Sequence, residues 1–405
     1  MSSSLPTPLP LFDTLENINK LAVPANITYS FATQDFKMAQ AFLKQYDGSL
    51  ATFNSYRREV ERLIQWAWLV EGKSVIELKR EDIENYLKFC KAPPKTWIGL
   101  TKVPRFIDAE GLHQANPEWR PFVATVTKSA AKKGVIPDVQ NYELSDKALR
   151  SIFAILSSFY NFLIQEDCTP INPLLQLRQK SKFFRKRQGQ APIRRLSELQ
   201  WASVLEITQQ MADSDPSHER SLFIITALFA MYLRISELTA SKRWLPKMCD
   251  FHRDSDGNWW FITVGKGNKE RQIAVSDAML NALKRWRTYL GLSALPSASD
   301  TSPLVPKLRG NEPISSTNQI RNIVQYCFDQ TIAKLEQDGF KDEAESLQAA
   351  TVHWLRHTGI SEDVKIRPRE HVRDDAGHSS SATTDRYIDV ELRARHASAR
   401  KKPVV

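Results

Sequence analysis

The sequence predicts a mainly α-helical protein, on the border of the α and α+β classes, with two domains and a small antiparallel sheet in the second. The chain has 405 residues, whereas a single hydrophobic core stops growing at roughly 250 to 300 residues. Apolar side chains recur every three or four residues in both halves, the pattern of helices with one buried face. Near residue 265 the period changes to that of two short strands.

The first half is predicted to hold a helical domain over residues 33–180. Residues 1–32 are rich in Ser, Pro and Asn and show no period, so we expect a loose arm. Residues 93–143 contain prolines and lysines and are interpreted as an insertion with at most short helices.

Helices are predicted where the apolar spacing is clearest, and Ser or Thr side chains are candidate caps. In order, they are 51–70 with Ser49 or Thr52 as its cap, 81–90, a helix that begins after Ser145 and ends near 171–173, 196–211 and 219–232.

The second domain, residues 196–405, contains the change of period. Strand-like runs at 259–264 and 271–275 flank the turn GKGN at 265–268, which predicts a β-hairpin. Helical patterns then resume and end in a basic tail, residues 391–402.

A basic linker, residues 181–195, is predicted between the two domains because it carries no acid and contains Gly and Pro as breakers. A flexible basic strap can follow a phosphate backbone, although an ordinary solvated linker has the same composition. Its candidate contacts with such a backbone are Lys182, Arg185, Lys186, Arg187, Arg194 and Arg195.

The net charge of +10 gives a positive field that attracts polyanions, without distinguishing DNA, RNA and anionic membrane.

The four cysteines form no C-x-x-C pair and are interpreted as reduced core thiols. The longest apolar run, Leu222–Leu233, is shorter than the roughly 20 residues of a membrane helix, and the N-terminus lacks the features of a signal peptide. We therefore expect a cytoplasmic protein without a membrane segment.

Arg234, in LRISEL, follows an apolar helix end, where a planar guanidinium can grip two phosphate oxygens. Glu237, three residues later, is expected to orient it from the same helical face. An ion pair at the edge of the core is the alternative interpretation.

Lys266 lies in the turn of the predicted hairpin, between two glycines that let the backbone approach a ligand closely. An ammonium group there can donate a proton to a leaving oxygen. An ordinary polar turn is the alternative. Lys269 and Arg271 lie nearby, and their positions on the strand favour contacts with a DNA backbone.

His353 and Arg356, in HWLRH, are three residues apart on a predicted helix, so both can reach the same phosphate. A metal site is not expected, because His353 and His357 lack a third ligand at a recognisable spacing. A structural histidine is the alternative.

His378 and Tyr387 are nine residues apart in GHSSSATTDRY. A tyrosine hydroxyl, with an ordinary pKa of about 10, is a poor nucleophile unless nearby cations stabilise the phenolate. Arg234, Arg356 and Lys266 could supply those charges. Simple packing is the alternative for an isolated tyrosine.

Together these segments resemble the tyrosine recombinases, or phage-type integrases. LRISEL, VGKGNKER, HWLRHT and AGHSSSATTDRY occur in the family's order over residues 234–387. The helical stretches 51–90 and 145–175 look like the family's helical core-binding domain, of SAM-like fold. The resemblance implies that residues 196–405 form the catalytic domain.

The resemblance also implies the roles of the residues. Arg234 and Arg356 would clamp the scissile phosphate, while His353 and His378 would assist with hydrogen bonds and proton transfer. Lys266 would be the general acid. Tyr387 would attack phosphorus and form a 3′-phosphotyrosyl bond, so that neither a metal nor another cofactor is implied.

Three features depart from the family pattern. Tyr232 stands near Arg234 where relatives often have Gly, and Ala376 precedes Gly377 where Leu is usual. Residues 365–375, KIRPREHVRDD, carry more charge than the family's usual apolar stretch.

The expected partner is double-stranded DNA, bound by a homo-oligomer, a tetramer, with an accessory recombinase or DNA-bending protein as a further candidate. The expected location is the cytoplasm, at the nucleoid. Three rival functions are a non-catalytic DNA-binding protein, a type IB topoisomerase and an RNA-binding protein. The full set of candidate catalytic residues argues against the first, and the absence of an aromatic recognition motif argues against the third.

Overall fold

The computed structural model divides the chain into two units, Met1–Gly189 and Gln190–Val405. It describes residues 5–109, 112–178, 194–265, 268–378, 380–385 and 400. The division falls inside the predicted linker, of which only Arg194 and Arg195 are among the described residues.

Unit 1 is a helical domain with short strands between its third and fourth helices. Its helices are α1 Ala32–Lys44, α2 Leu50–Trp66, α3 Arg80–Lys91, α4 Lys128–Lys132, α5 Asp146–Gln165 and α6 Leu175–Arg178. A π-helical turn, Ala67–Glu71, extends α2. Ser49 caps α2 and Ser145 caps α5, each accepting a backbone N–H from the first turn.

Helix α5 is long and apolar enough by composition to cross a membrane. Its apolar side chains, including Leu156, Phe159 and Leu163, are buried in the core of unit 1, against α1 and α2. A helix in the core of a unit can be as long and as apolar as a membrane helix. The burial of these side chains is typical of a core helix.

The N-terminal segment corrects the prediction of a loose arm. Leu11, Phe12 and Ile18 are buried in the unit 1 core. The backbone N–H groups of Leu11 and Phe12 donate to Glu61 Oε1 at 2.5 and 3.1 Å, and Arg105 Nε donates to the carbonyl of Phe12 at 3.0 Å. An irregular segment packs through single side chains, so it has no helical or strand period to recognise.

The insertion at 93–143 also differs from the prediction, because it contains strands as well as short helical turns. The strands are β1 Ile98–Gly99, β2 Phe106–Ala109, β3 Leu112–Ala115 and β4 Phe122–Val123. β2 and β3 form an antiparallel pair, and β1 pairs with β4 in parallel. Trp97 and Phe122 are fully buried. Strands of two to four residues are too short for their alternation to be seen in the sequence.

A histidine ties this insertion to the N-terminal segment and makes stability depend on pH. His113 Nδ1 lies 2.7 Å from Asp108 Oδ1, and Nε2 lies 3.1 Å from Asp13 Oδ2. The hydrogen bonds to Asp108 and then Asp13 raise the pKa of His113 above its ordinary value. Its stabilising contribution is therefore complete below about pH 6.5, the pKa in the unfolded chain, and is lost as pH rises through the folded pKa.

We expect His113→Gln to lower the Tm of unit 1 at pH 5.5 and to have little effect at pH 9. Thermal melts of the full chain across that range measure this difference. His371→Gln, at an exposed histidine of unit 2, is the control. A His113→Gln effect that stays constant with pH would contradict the prediction.

Unit 2 is mostly helical around a three-stranded antiparallel sheet. Its helices are α7 Glu198–Ser214, α8 Glu219–Ala230, α9 Asp277–Tyr289, α10 Thr317–Gln337, α11 Lys341–Gln348, α12 Val352–Asp363, α13 Arg369–Ala376 and α14 Ser381–Asp385. The strands are β5 Phe251–Arg253, β6 Trp259–Val264 and β7 Glu270–Ala274, in the order β5-β6-β7. The predicted β6–β7 hairpin is confirmed, and β5 adds a strand that was not predicted.

Helix α8 is the centre of this unit. Phe223, Ile224 and Leu228 are buried, and α7, α9 and α12 pack against the helix. At Gly359, α12 approaches α8 so closely that an added Cβ atom would lie 2.1 Å from the carbonyl oxygen of Phe229. This approach sets where the polar residues of α12 lie relative to the end of α8.

Candidate active site

Arg234 follows the end of α8 and begins a short 3-10 turn, Ile235–Glu237. Its backbone N–H donates to Glu237 Oε2 at 2.7 Å, and its Nη1 donates to Oε1 at 3.0 Å. The predicted contact between these residues is present. The local structure differs from the prediction, since a tight 3-10 turn rather than an α-helical face brings residues three apart together.

Glu237 is fully buried and is shared by two arginines. Arg271 donates to it with Nη1 at 2.6 Å and Nη2 at 2.8 Å. Burial alone would raise the pKa of Glu237, but the hydrogen bonds and charge of Arg271, followed by those of Arg234, hold this pKa below its ordinary value. Glu237 is therefore a carboxylate that fixes two guanidinium groups.

Arg271, predicted to contact a DNA backbone, is paired with Glu237 in the structure. Its side chain is 10% exposed and its guanidinium faces inward, onto Glu237. The sequence contained a signal for this inward position. Residues two apart on a strand share a face, and the apolar residue two positions after Arg271, Ile273, is fully buried in the structure. Arg271 therefore fixes the Glu237 carboxylate from the interior of the unit.

Arg356 is 4% exposed on α12 and is held by backbone carbonyls. Nη1 donates to the carbonyl of Tyr232, and Nη2 lies 3.4 Å from His378 Nε2. His378 Nδ1 lies 2.9 Å from Thr384 Oγ1 on α14. If Arg356 donates to Nε2, the proton of His378 is on Nδ1 and points to Thr384. Thr384 was not identified from the sequence, and no pattern there marks it.

The C-terminal end of α13 brings three arginines together. The last carbonyls of a helix have no partner within the helix, and cations are favoured at that end. Three consecutive carbonyls here each accept from a different arginine: Asp375 O from Arg271 Nε at 2.9 Å, Ala376 O from Arg356 Nη2 at 2.6 Å and Gly377 O from Arg234 Nη2 at 3.5 Å. The structure thus places Arg234 and Arg356 side by side.

Two glycines allow this close packing. A Cβ atom on Gly377, which has φ +63°, would lie 2.8 Å from Arg271 Cδ. A Cβ atom on Gly265, at the end of β6, would lie 3.1 to 3.2 Å from Glu237 Oε1 and from Nη1 of Arg271 and Arg234. The strand that leads into the GKGN turn therefore passes directly against the arginines.

His353 lies on α12, one turn before Arg356, and is exposed to solvent. Burial, and then the positive charges of Arg356, Arg234 and Arg321, lower the pKa of His353 below its usual value. The imidazole is therefore neutral at neutral pH and can accept a proton. Arg321, an exposed residue of α10, was not identified from the sequence.

Two of the predicted catalytic residues, Lys266 and Tyr387, lie outside the described residues. The same holds for Lys182, Arg185, Lys186 and Arg187 of the linker. Among the described candidates for DNA contact, Arg194 and Lys269 are exposed and Arg195 lies 3.9 Å from Glu362.

The two histidines of HWLRH stack, with His353 and His357 ring centroids 6.1 Å apart. In the part of the chain that the structure describes, no group of three or more His, Cys, Asp or Glu side chains is arranged to hold a metal ion.

Comparison with known proteins places this site in a family. The profile of the Phage integrase family matches residues 194–393. Tyrosine recombinase XerD of Rickettsia bellii (strain RML369-C) is 31% identical over 144 residues, which are 35% of this chain and 44% of that protein. This match thus spans less than half of the relative's length. Tyrosine recombinase XerC of Xanthomonas axonopodis pv. citri (strain 306) is 26% identical over 268 residues, 64% of this chain and 75% of that protein.

The fold is also shared with a solved structure. XerH site-specific recombinase, bound to palindromic difH substrate in a post-cleavage complex, has a TM-score of 0.53. It is 14% identical in sequence, and the alignment covers 96% of this chain and 93% of that one. The predicted fold class, mainly helical with a small antiparallel sheet, is confirmed. The second unit, with the arginine cluster described above, thus contains a region that matches the Phage integrase family, and the chain is similar to tyrosine recombinases.

Proposed function

We propose that the protein is a site-specific DNA recombinase, which cleaves and rejoins duplex DNA through a 3′-phosphotyrosyl bond to Tyr387. Integration, excision or resolution of a mobile element is the biological event that we propose. The observation that carries the proposal is the pair Arg234 and Arg356, fixed on adjacent carbonyls at the end of α13 beside His353 and His378.

This cluster suits displacement at a phosphodiester, because such a reaction depends mainly on positioning and on cations placed where negative charge develops. The two guanidinium groups would bind the non-bridging oxygens of the scissile phosphate. The Tyr387 oxygen would form a bond to phosphorus as the bond to the 5′ oxygen breaks. Neutral His353 is suited to accept the phenol proton, and Lys266 would donate a proton to the leaving 5′ oxygen.

Rejoining would reverse these steps. The 5′ hydroxyl of another strand would attack phosphorus, its proton returning to Lys266, and Tyr387 would leave as its oxygen takes back the proton held by His353. The ester keeps the energy of the original phosphodiester, so the exchange requires no nucleotide cofactor.

A basic groove in unit 1 supports duplex DNA as the partner. It has a volume of about 800 Å³, lies between α2, the insertion and the start of α5, and has only Glu59 and Glu143 as described acidic lining residues. Of its basic lining residues, Arg58, Lys102 and Lys147 are exposed, whereas Arg62 and Arg105 are largely buried and paired with Glu59 and Glu61. Such a surface would neutralise phosphates, and its affinity would fall steeply with salt.

The proposed assembly follows from the reaction. Exchange between two duplexes requires four strand cuts, so one nucleophile per protomer implies a homotetramer on DNA. We also propose an accessory recombinase or DNA-bending protein as a further partner and the cytoplasm, at the nucleoid, as the location.

The test uses nicked suicide duplexes made from the DNA that flanks the protein's own gene. A nick near the cleavage position lets the short cleaved strand diffuse away, so a covalent adduct accumulates and can be separated on a denaturing gel. We expect an adduct with the wild type and with Tyr326→Phe, at an exposed tyrosine of α10, and none with Tyr387→Phe.

Each other outcome has a definite meaning. An adduct with Tyr387→Phe would show that another residue is the nucleophile. No adduct with the wild type on any flanking duplex, despite binding, would favour a non-catalytic DNA-binding protein. Relaxation of supercoils by the monomer without strand exchange would favour a type IB topoisomerase.

A further inference from the structure

Tyr232 has an unusual backbone for its residue type. It lies two residues beyond α8 with φ +49°, in the left-handed region. This position after a helix usually takes glycine, because a Cβ atom is disfavoured there. Such conformations persist where surrounding contacts enforce them, and they concentrate at functional sites. Here the turn directs the Tyr232 carbonyl onto Arg356 Nη1.

The side chain of Tyr232 is fully buried in a polar cluster. Its hydroxyl donates to Asp363 Oδ2 and accepts from Arg367 Nη1 at 3.0 Å. Burial, and then the charge of Asp363, raise the pKa of Tyr232 well above its ordinary value. The phenol therefore stays protonated and serves as a fixed hydrogen-bonding group.

Arg367 continues the cluster to the end of α13. Its Nη2 donates to Asp375 Oδ2 at 2.6 Å, while Asp375 Oδ1 accepts from the backbone N–H of Ala274 on β7 at 3.3 Å. The carbonyl of Asp375 holds Arg271, which holds Glu237. A continuous set of contacts thus runs from Arg356 through Tyr232, Arg367, Asp375, Arg271 and Glu237 to Arg234.

This cluster explains two departures noted in the sequence. The tyrosine near Arg234 and the charged stretch 365–375 contact each other through Arg367. Asp375 is buried, and Asp363 and Arg367 are partly buried, so their charges need partners, since buried charges are costly unless paired.

We propose that Tyr232, Arg367 and Asp375 are positioning residues that hold the end of α13 in place and thereby set the spacing of Arg234 and Arg356 on the scissile phosphate. The role in strand cleavage rests on the function proposed above. The spacing of the two guanidinium groups does not rest on that function, because the affinity for any tetrahedral oxyanion that binds both groups depends on this spacing.

The test compares Arg367→Gln with Arg373→Gln in the full chain. Both arginines belong to the same short stretch of charge and have similarly exposed side chains, 29% and 35%. Arg373 pairs with its exposed neighbour Asp374, so Arg373→Gln removes one positive charge, as Arg367→Gln does, and leaves the contacts between Tyr232, Arg367 and Asp375 in place.

The first measurement is binding of inorganic phosphate by calorimetry, with Arg356→Ala to identify binding at the arginine pair. We expect Arg367→Gln to weaken this binding about tenfold, the effect of losing one charged hydrogen-bonding group. Arg373→Gln should stay within about twofold of the wild type. Equal affinities of Arg367→Gln and wild type would overturn the proposal, whether or not DNA is cleaved.

The second measurement is the single-turnover rate of adduct formation with the suicide duplex in saturating excess over the protein. Loss of folded protein lowers the amplitude, whereas misplaced arginines lower the rate constant. We expect the rate constant to fall about tenfold in Arg367→Gln and in Asp375→Asn, and no further in the double variant, because the two act through one contact. Multiplied effects in the double variant, or reduced amplitudes at an unchanged rate, would overturn the proposal.

Tyr232→Phe provides a variant that is expected to fold, since the ring and the backbone carbonyl remain. We expect a smaller loss of phosphate affinity and cleavage rate, because Asp363 still pairs with Arg367 at 3.2 Å. A wild type that binds phosphate but forms no adduct would contradict the proposed function and leave the positioning role to be judged by phosphate affinity alone.

Discussion

Arg356→Lys is expected to lower the rate constant of strand cleavage by roughly 10²- to 10³-fold, the usual cost of removing one fixed donor to a developing charge. Lysine keeps the positive charge but has a single ammonium group. It cannot at once reach the carbonyls of Tyr232 and Ala376 and leave a planar fork for the phosphate. Affinity for DNA should change little, because one phosphate contact among many is affected.

Single-turnover adduct formation measures this effect, and amplitude again separates folding from chemistry. Arg287→Lys is the matched control, since Arg287 is also buried and bonded to a backbone carbonyl, that of Ser293, but lies on α9 away from the site. It should lower stability without changing the rate constant. An Arg356→Lys rate close to that of Arg287→Lys would remove Arg356 from the proposed mechanism.

Gly359→Ala is expected to destabilise unit 2 by about 3 kcal/mol or more. In an exposed helix the same change would stabilise by up to about 1 kcal/mol. Here the added methyl group would lie 2.1 Å from the Phe229 carbonyl oxygen and 3.1 Å from Tyr232 Cδ1. Neither atom can make room for the methyl group unless α8 moves away from α12. That movement would also separate the Tyr232 carbonyl from Arg356.

Thermal melts measure this prediction, and the corresponding fall in Tm is roughly 6 to 12 °C for a unit of this size. Ser361→Ala is the control, because Ser361 is buried two residues further along α12 and its hydroxyl has no hydrogen-bond partner among the described residues. Its loss should be close to neutral. A Gly359→Ala protein that melts with the wild type would show that α8 and α12 separate easily.

Local patterns predicted the regular elements well where one face is buried over several turns. Helix α5 begins after Ser145 as expected, and β6 and β7 form the hairpin. The prediction extended α5 to about residue 171, but the helix ends at Gln165. Helix ends depend on what packs beyond them, so they are less well defined by period than helix interiors.

The candidate site was recognised from residue types and spacing, yet its contacts were not. Arg234, Arg356 and His378 lie at the C-terminal end of α13, and the charges of both arginines act on His353. What holds the arginines is mostly backbone, the carbonyls at the end of α13, and backbone acceptors leave no mark in a sequence. The inward position of Arg271 was missed for a related reason, because a basic residue near a predicted DNA site was assumed to face solvent.

The sequence alone determined the helices that bury one face over several turns, the β6–β7 hairpin, that the chain exceeds one core, and which residue types are available for chemistry on a phosphate. These properties depend on neighbours a few positions apart. Only the tertiary structure decided that residues 5–31 join the core, that Arg271 braces Glu237, and that Tyr232 and Arg367 connect to Asp375. Those outcomes depend on contacts between segments far apart in the chain, where burial obliges each charge and hydrogen-bonding group to find a partner.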